Sequence, residues 1–168
     1  MNNSGSRPKI KIPKKKTEWI FDIIGYTAYI ASIIFLISVW NSLPDEVPAH
    51  YNALGEVDRW GKKYELLILP IVSGFLLLML QIFEKFPEIH NYPSRFNETN
   101  AAQFYLVSRQ MMNMMKNISL LVFALILLKS VSIALNWSTG SGALFLPLLL
   151  IGVALPIIIS LLRQRKIK

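Results

Sequence analysis

The 168-residue chain contains no cysteine, which excludes disulfides, thiolate metal sites, iron–sulfur clusters and cysteine nucleophiles. Histidine is nearly as scarce: there are two, His50 and His90, and no HExxH or comparable spacing is present to hold zinc. Acids are few as well, 10 Asp and Glu against 18 Lys and Arg. The resulting charge of +8 gathers at the ends of apolar blocks and in the tails, where anionic lipid headgroups are the simplest partner. No groove-reading module accompanies that charge, so nucleic acid is not an expected partner. What the chain has in abundance is apolar side chains, 53% of residues and arranged in blocks, the composition of a membrane protein.

The blocks predict an all-α integral membrane protein with four transmembrane helices. Residues 1–18 are rich in Ser, Gly, Pro and Lys and read as a disordered basic tail. Residues 19–40, bracketed by Trp19 and Trp40 and interrupted by Asp22, form the first span. No small-x-small cleavage site follows it, which favours a retained anchor over a signal peptide. Gly25, Ala28 and Ser32 offer a small-residue stripe for close helix contact. Residues 66–83 form the second span, 118–135 the third and 143–162 the fourth, the last two joined by the turn WSTGSG. Between the second and third spans lies an inner loop, and then a helix over residues 99–116 with Phe104, Val107, Met111 and Met115 on one face. It is expected to lie along the membrane surface and bend into the third span. The neighbouring methionines Met111, Met112, Met114 and Met115 read as packing residues rather than a copper site. Lys and Arg collect in the N-terminal tail, in residues 84–117 and in the basic tail 163–168. That alternation is the one expected of a four-span protein with both termini cytoplasmic.

The passage 41–65 is then extracytoplasmic, and its heart is Leu43–Lys63, LPDEVPAHYNALGEVDRWGKK. Pro44 and Pro48 favour extended backbone, and Gly55 and Gly61 mark turns. A three-residue turn Ala53-Leu54-Gly55, with Gly55 left-handed, sets Tyr51 opposite Val57, Asn52 opposite Glu56 and His50 opposite Asp58. His50, Asn52, Glu56 and Asp58 then share one face of a small β-hairpin, with Tyr51, Val57 and Arg59 on the other. The pair His50–Asp58 is acid/base chemistry in outline, but no second histidine lies on that side for a metal, and Ser42 has no G-x-S-x-G setting. No cofactor is expected. Lys129 is the remaining anomaly, about 9 Å below the outer end of the third span at 1.5 Å per residue. Such a lysine faces the bundle, a cavity or a carboxylate, or snorkels outward. We expect the hairpin to dock over the third span, so that Asp58 or Glu56 compensates it.

The spacing of Leu43, Pro44, Asp45, Pro48, His50, Tyr51, Asn52, Gly55, Asp58, Trp60, Gly61 and Lys63 resembles the signature of the bacterial membrane family called domain of unknown function 1648. Asn91, Tyr92, Pro93, Glu98, Asn100, Gln103, Tyr105 and Arg109 are similar to the stretch that precedes the third span in stand-alone members. The same domain fronts the SdpI-type immunity proteins, which protect cells from a secreted killing factor and draw a repressor to the membrane. Membership implies a bacterial plasma membrane and no established catalytic activity. The resemblance implies a non-enzymatic sensing, signalling or toxin-immunity module, meeting an extracellular peptide or envelope ligand outside and lipid or a cytoplasmic regulator inside. Two other readings stay open: a small-substrate transporter component built around Lys129, and a membrane hydrolase using His50 as acid/base.

Overall fold

The structure is a computed structural model that describes residues 7–138 and 145–168. The first six residues of the expected tail, most of the turn joining the last two spans, and the first two residues of the expected fourth span lie outside the described residues. The elements run α1 (Lys16–Val39), a 3-10 turn (Trp40–Ser42), β1 (Glu46–Tyr51), β2 (Val57–Lys62), a 3-10 turn (Lys63–Leu67), α2 (Ile68–Lys85), a 3-10 turn (Pro87–Ile89), α3 (Ala101–Ala134) and α4 (Phe145–Arg165). Among the described residues, three segments, Lys16–Ser42, Lys63–Lys85 and Ala101–Ala134, are long and apolar enough to cross a membrane. The chain is thus a mostly helical, multi-pass membrane protein with one small antiparallel sheet. α4 adds a further apolar helix of 21 residues.

α3 is the axis of the molecule, with α1, α2, α4 and β1 all packed against it. It is one helix of 34 residues, about 51 Å at 1.5 Å per residue, against a hydrocarbon core of about 30 Å. The expected bend between a surface segment and the third span is therefore replaced by an unbroken rod. Its burial is not that of an interfacial helix, because polar residues are buried along with Phe104 and Val107 of the expected apolar face. Arg109, Asn113, Lys116 and Asn117 are buried, whereas Met111 and Met115 are only half-buried. The physical reason is the solvent: where lipid surrounds the bundle, the polar stripe must turn toward other helices.

Residues 7–15 correct the expectation of a disordered tail. They run extended, with Pro8, Ile10, Ile12 and Lys14 half-buried and the intervening residues exposed, a strand-like alternation against the ends of α2 and α3. The Arg7 guanidinium donates to the Glu88 and His90 carbonyls and lies over the Tyr92 and Phe96 rings at 5.4 Å. The Arg109 guanidinium donates to the Ile12 carbonyl. At the other end of the bundle, Leu36, Leu43, Val47, Leu66, Leu127 and Val131 form a core that seats the hairpin.

The small residues do bring helices close. A Cβ on Gly25 would stand 2.3 Å from Asn117 Oδ1 and 3.1 Å from Asn117 Cβ, so α1 meets α3 there without room for a methyl. In the expected stripe Ser32 is likewise buried and Ala28 half-buried. Gly25→Ala therefore sets helix propensity, worth up to about 1 kcal/mol in favour of Ala, against overpacking of about 1–3 kcal/mol. We predict that overpacking wins and that the variant melts several degrees below the parent in detergent; a higher melting temperature would show that the contact is loose.

Candidate functional site

Two polar regions lie at opposite ends of α3, the hairpin at one and a buried ionic cluster at the other. The hairpin turns where the sequence places it. Gly55 has φ 77°, in the left-handed region, and Asn52 N–H bonds the Glu56 carbonyl at 2.9 Å. Asn52 Oδ1 accepts from the Leu54 and Glu56 amides, at 2.9 and 3.0 Å, so one side chain organises the whole turn. Tyr51 pairs with Val57 as expected, but an irregularity on either side of His50 sets that residue opposite Arg59 rather than Asp58. The side chains still meet: His50 Nδ1 lies 2.6 Å from Asp58 Oδ1, and Asn52 Nδ2 donates to Glu56 Oε2 at 3.0 Å. Both pairs are exposed, as the expected shared face requires.

The other hairpin face is docked. Val47 is wholly buried, Pro48 and Leu43 are buried, and the Tyr51 hydroxyl meets Ser130 Oγ of α3 at 2.8 Å. Burial pushes the Tyr51 hydroxyl pKa up, and the Ser130 bond works in the opposite direction. Arg59 reaches across to Glu65 at 2.8 Å. Gly61 is obligatory for space, since a Cβ there would stand 2.1 Å from Glu65 Oε1 and 2.9 Å from Ala49 Cβ. The Asp45 carbonyl takes the Lys63 amide at 3.0 Å, and Lys63 Nζ lies 5.6 Å above the Trp40 ring. Pro44 and Trp60 are exposed. The hairpin thus sits on α3 as expected, but through Tyr51 rather than a carboxylate. Lys129 Nζ donates instead to Ser138 Oγ at 3.2 Å, while Asp58 and Glu56 are held within the hairpin.

The second region was not singled out from the sequence. Glu18 and Asp22 of α1, Gln81 and Glu84 of α2, and Arg109, Asn113, Lys116 and Asn117 of α3 converge with Lys14 of the extended segment. Lys116 is 0% exposed, and its ammonium lies 2.6 Å from Glu84, 2.9 Å from Asp22 and 2.8 Å from Gln81 Oε1. Lys14 bridges the same two carboxylates, at 2.6 Å from each. Arg109 pairs with Glu18 at 2.8 Å, and Glu18 also accepts the Lys15 amide at the start of α1. Asn113 and Asn117 each donate to Asp22 Oδ1, at 2.8 and 2.9 Å. Three carboxylates thus face three cations, and the cluster is neutral as a whole. Burial disfavours the charged form of Lys14, but the hydrogen bonds and charges of Asp22 and Glu84 outweigh it and raise the pKa above the ordinary 10.5.

Each member sits near the end of an apolar block, where a charge ordinarily marks the exit from lipid. Two spacings give them away: Glu18 and Asp22 share one face of α1 at i, i+4, and positions 109, 113, 116 and 117 share one face of α3. Removing one partner of a buried pair typically costs about 3–5 kcal/mol, because the other charge is stranded. Lys116→Met should therefore be strongly destabilising, and combining it with Glu84→Leu should cost clearly less than the sum of the two single changes. Strict additivity in a double-mutant cycle of thermal unfolding would show that the pair is not coupled.

His90 also lies at this end, half-buried beneath the extended segment. Its Nε2 bonds the Phe83 carbonyl at 3.0 Å and Nδ1 contacts the Ser108 hydroxyl. A carbonyl only accepts, so Nε2 carries the hydrogen and Ser108 donates to Nδ1. Burial is the largest influence on this imidazole, and its pKa is lowered from the ordinary 6.5. The folded protein then resists a proton that the unfolded chain accepts, so stability is full above about pH 6.5 and falls as pH drops through the window below it. The melting temperature should decline as pH falls below about 6.5, and less so in His90→Gln; parallel curves for the two proteins would remove His90 as the cause.

Residues 27–74, which run from within α1 through the hairpin into α2, match the family described as a domain of unknown function (DUF1648). A relative from Archaeoglobus fulgidus, described as an uncharacterized protein, is 38% identical over 66 residues. That stretch is 38% of this chain and 36% of the relative, so the chain covers about a third of the relative's length. No solved structure matches the chain. The hairpin signature lies wholly inside the stretch of this multi-pass membrane protein, residues 27–74, that matches the DUF1648 family.

Proposed function

We propose that the protein is a non-enzymatic sensing module of a bacterial plasma membrane, crossing it four times, with the hairpin outside and the extended segment and C-terminus in the cytoplasm. The hairpin's exposed face, His50, Asn52, Glu56 and Asp58, meets an extracellular peptide or envelope component. The resemblance of its signature to the front part of SdpI-type immunity proteins supports that partner class, and the Lys and Arg distribution supports the orientation. One observation carries the reading. α3 is a single rod that touches the hairpin through Ser130 and holds the extended segment through Arg109, which gives the two a continuous connection through one helix. A cytoplasmic regulator would read the segment at residues 7–15.

The test exploits the cysteine-free chain. A lone Ile12→Cys reports docking of the segment through its reaction rate with a water-soluble maleimide in inverted vesicles, and a lone Ser42→Cys reports sidedness in intact cells. Adding Tyr51→Phe, which removes one hydrogen bond worth about 0.5–1.5 kcal/mol, should raise the rate at position 12 by about two- to tenfold. An unchanged rate, or Ser42→Cys shielded in intact cells, would overturn the reading.

A second reading, ion-coupled transport, is favoured by the buried cluster. Asn113 Oδ1 and Asn117 Oδ1 are buried acceptors that find no hydrogen-bond partner among the described residues, on side chains that bond Asp22. With Asp22 and Glu84 they form an acceptor set that takes a proton or small cation when Lys14 withdraws. Flux across proteoliposomes that is abolished by Asp22→Asn would favour this reading over the sensing one.

A further inference from the structure

Apart from the hairpin and the ionic cluster, the bundle contains a cleft of about 520 Å³ at the end bearing the extended segment. α3 forms its floor, α2 and α4 its walls, and the loop at His90 and Asn91 closes one end. α2 and α4 each pack on α3 but scarcely touch one another, which leaves the space between them open. α3 runs antiparallel to both walls, and this fixes the level of each lining residue. His90, Asn91, Ser108 and Gln164 lie at the loop end, with Ser160 one turn deeper; Met79, Leu80, Met112 and Ile157 lie further in.

Two properties define what fits. The first is the absence of charge: in a chain with 18 Lys and Arg, none lines this cleft, and Arg163, the neighbour of Gln164, is turned away to donate to Gln110 at 2.9 Å. The second is the sense of the polar groups. Ser108 gives its hydrogen to His90, so its oxygen presents lone pairs. Gln164 spends one of its two side-chain amide hydrogens on Ser160 at 3.3 Å, leaving the other and the Ser160 hydroxyl to donate and its Oε1 to accept. A head with both a hydroxyl and a carbonyl satisfies this set, and the methionine-lined depth suits a flexible apolar chain.

We propose that this cleft is a binding site for an uncharged, single-chain amphiphile whose head carries a hydroxyl and a carbonyl, entering sideways from the membrane leaflet at that end. Anionic phospholipid heads are disfavoured, because nothing in the lining neutralises them.

The experiment uses the full chain in phosphatidylcholine vesicles with a diazirine-bearing monooleoylglycerol as photoprobe. Saturable labelling is expected on residues around 79–91, 108–112 and 157–164, competed by unlabelled monooleoylglycerol and not by phosphatidylglycerol. Met112→Trp, which fills the depth, should reduce labelling at least about tenfold. Ser108→Ala with Gln164→Leu should weaken half-saturation by about three- to tenfold, the worth of one or two hydrogen bonds. Leu162→Trp, on an exposed position of α4, should leave it unchanged and controls for folding. Labelling spread evenly over the exposed helix faces means ordinary boundary lipid and overturns the proposal. So does equal competition by phosphatidylglycerol, or labelling that survives Met112→Trp. Protection of the cleft by a second copy of the chain in crosslinked dimers would likewise overturn it.

Discussion

Glu18, Asp22 and Glu84 share one low-dielectric space with Lys14, Arg109 and Lys116, and the arrangement of α1, α2 and α3 follows from keeping that set closed. An isolated charge at such depth would cost several kcal/mol, whereas six that alternate in sign and are hydrogen-bonded by Asn113, Asn117 and Gln81 hold one another in place. The geometry this imposes is specific. Gly25 has to lie against Asn117 so that Asp22 comes within reach of Asn113, Asn117 and Lys116, and α3 has to stay straight from residue 109 to 117 so that its four polar side chains point one way.

The hairpin was legible because its determinants are local. Gly55 needs a left-handed backbone, Asn52 caps its own turn, and a period of two separates the faces, all within about a dozen residues. Apolar length likewise marked three helices long enough to cross a membrane. What the hairpin pattern could not foretell was the irregularity at His50, next to the stretch where Val47 is seated among Leu66, Leu127 and Val131. Nor could it tell that Tyr51, rather than a carboxylate, would reach α3.

The ionic cluster was hidden for a different reason. Its partners are up to about a hundred residues apart in the chain, and a charge near the end of an apolar run has an innocent explanation in each case taken alone. Arg109 reads as one more polar residue of the helix, Glu18 as part of a tail and Glu84 as the start of a loop; only their assembly shows that all three are buried. The extended segment was missed likewise, since Lys-rich, proline-containing sequence has the composition of disorder. The alternation of Ile10 and Ile12 with Lys9 and Lys11 was the signal that it has an inner and an outer edge.

The order in which the chain is made gives that segment a second significance. When α1 first meets lipid it carries Glu18 and Asp22, and Lys14, eight residues from Asp22, is the one cluster cation already synthesised. The arrival of α2 adds Glu84 and makes the deficit worse. Neutrality is reached only when α3 delivers Arg109 and Lys116, so a nascent chain halted before that helix holds two carboxylates without counter-ions. The ionic set begun by the first two helices therefore closes only with the third.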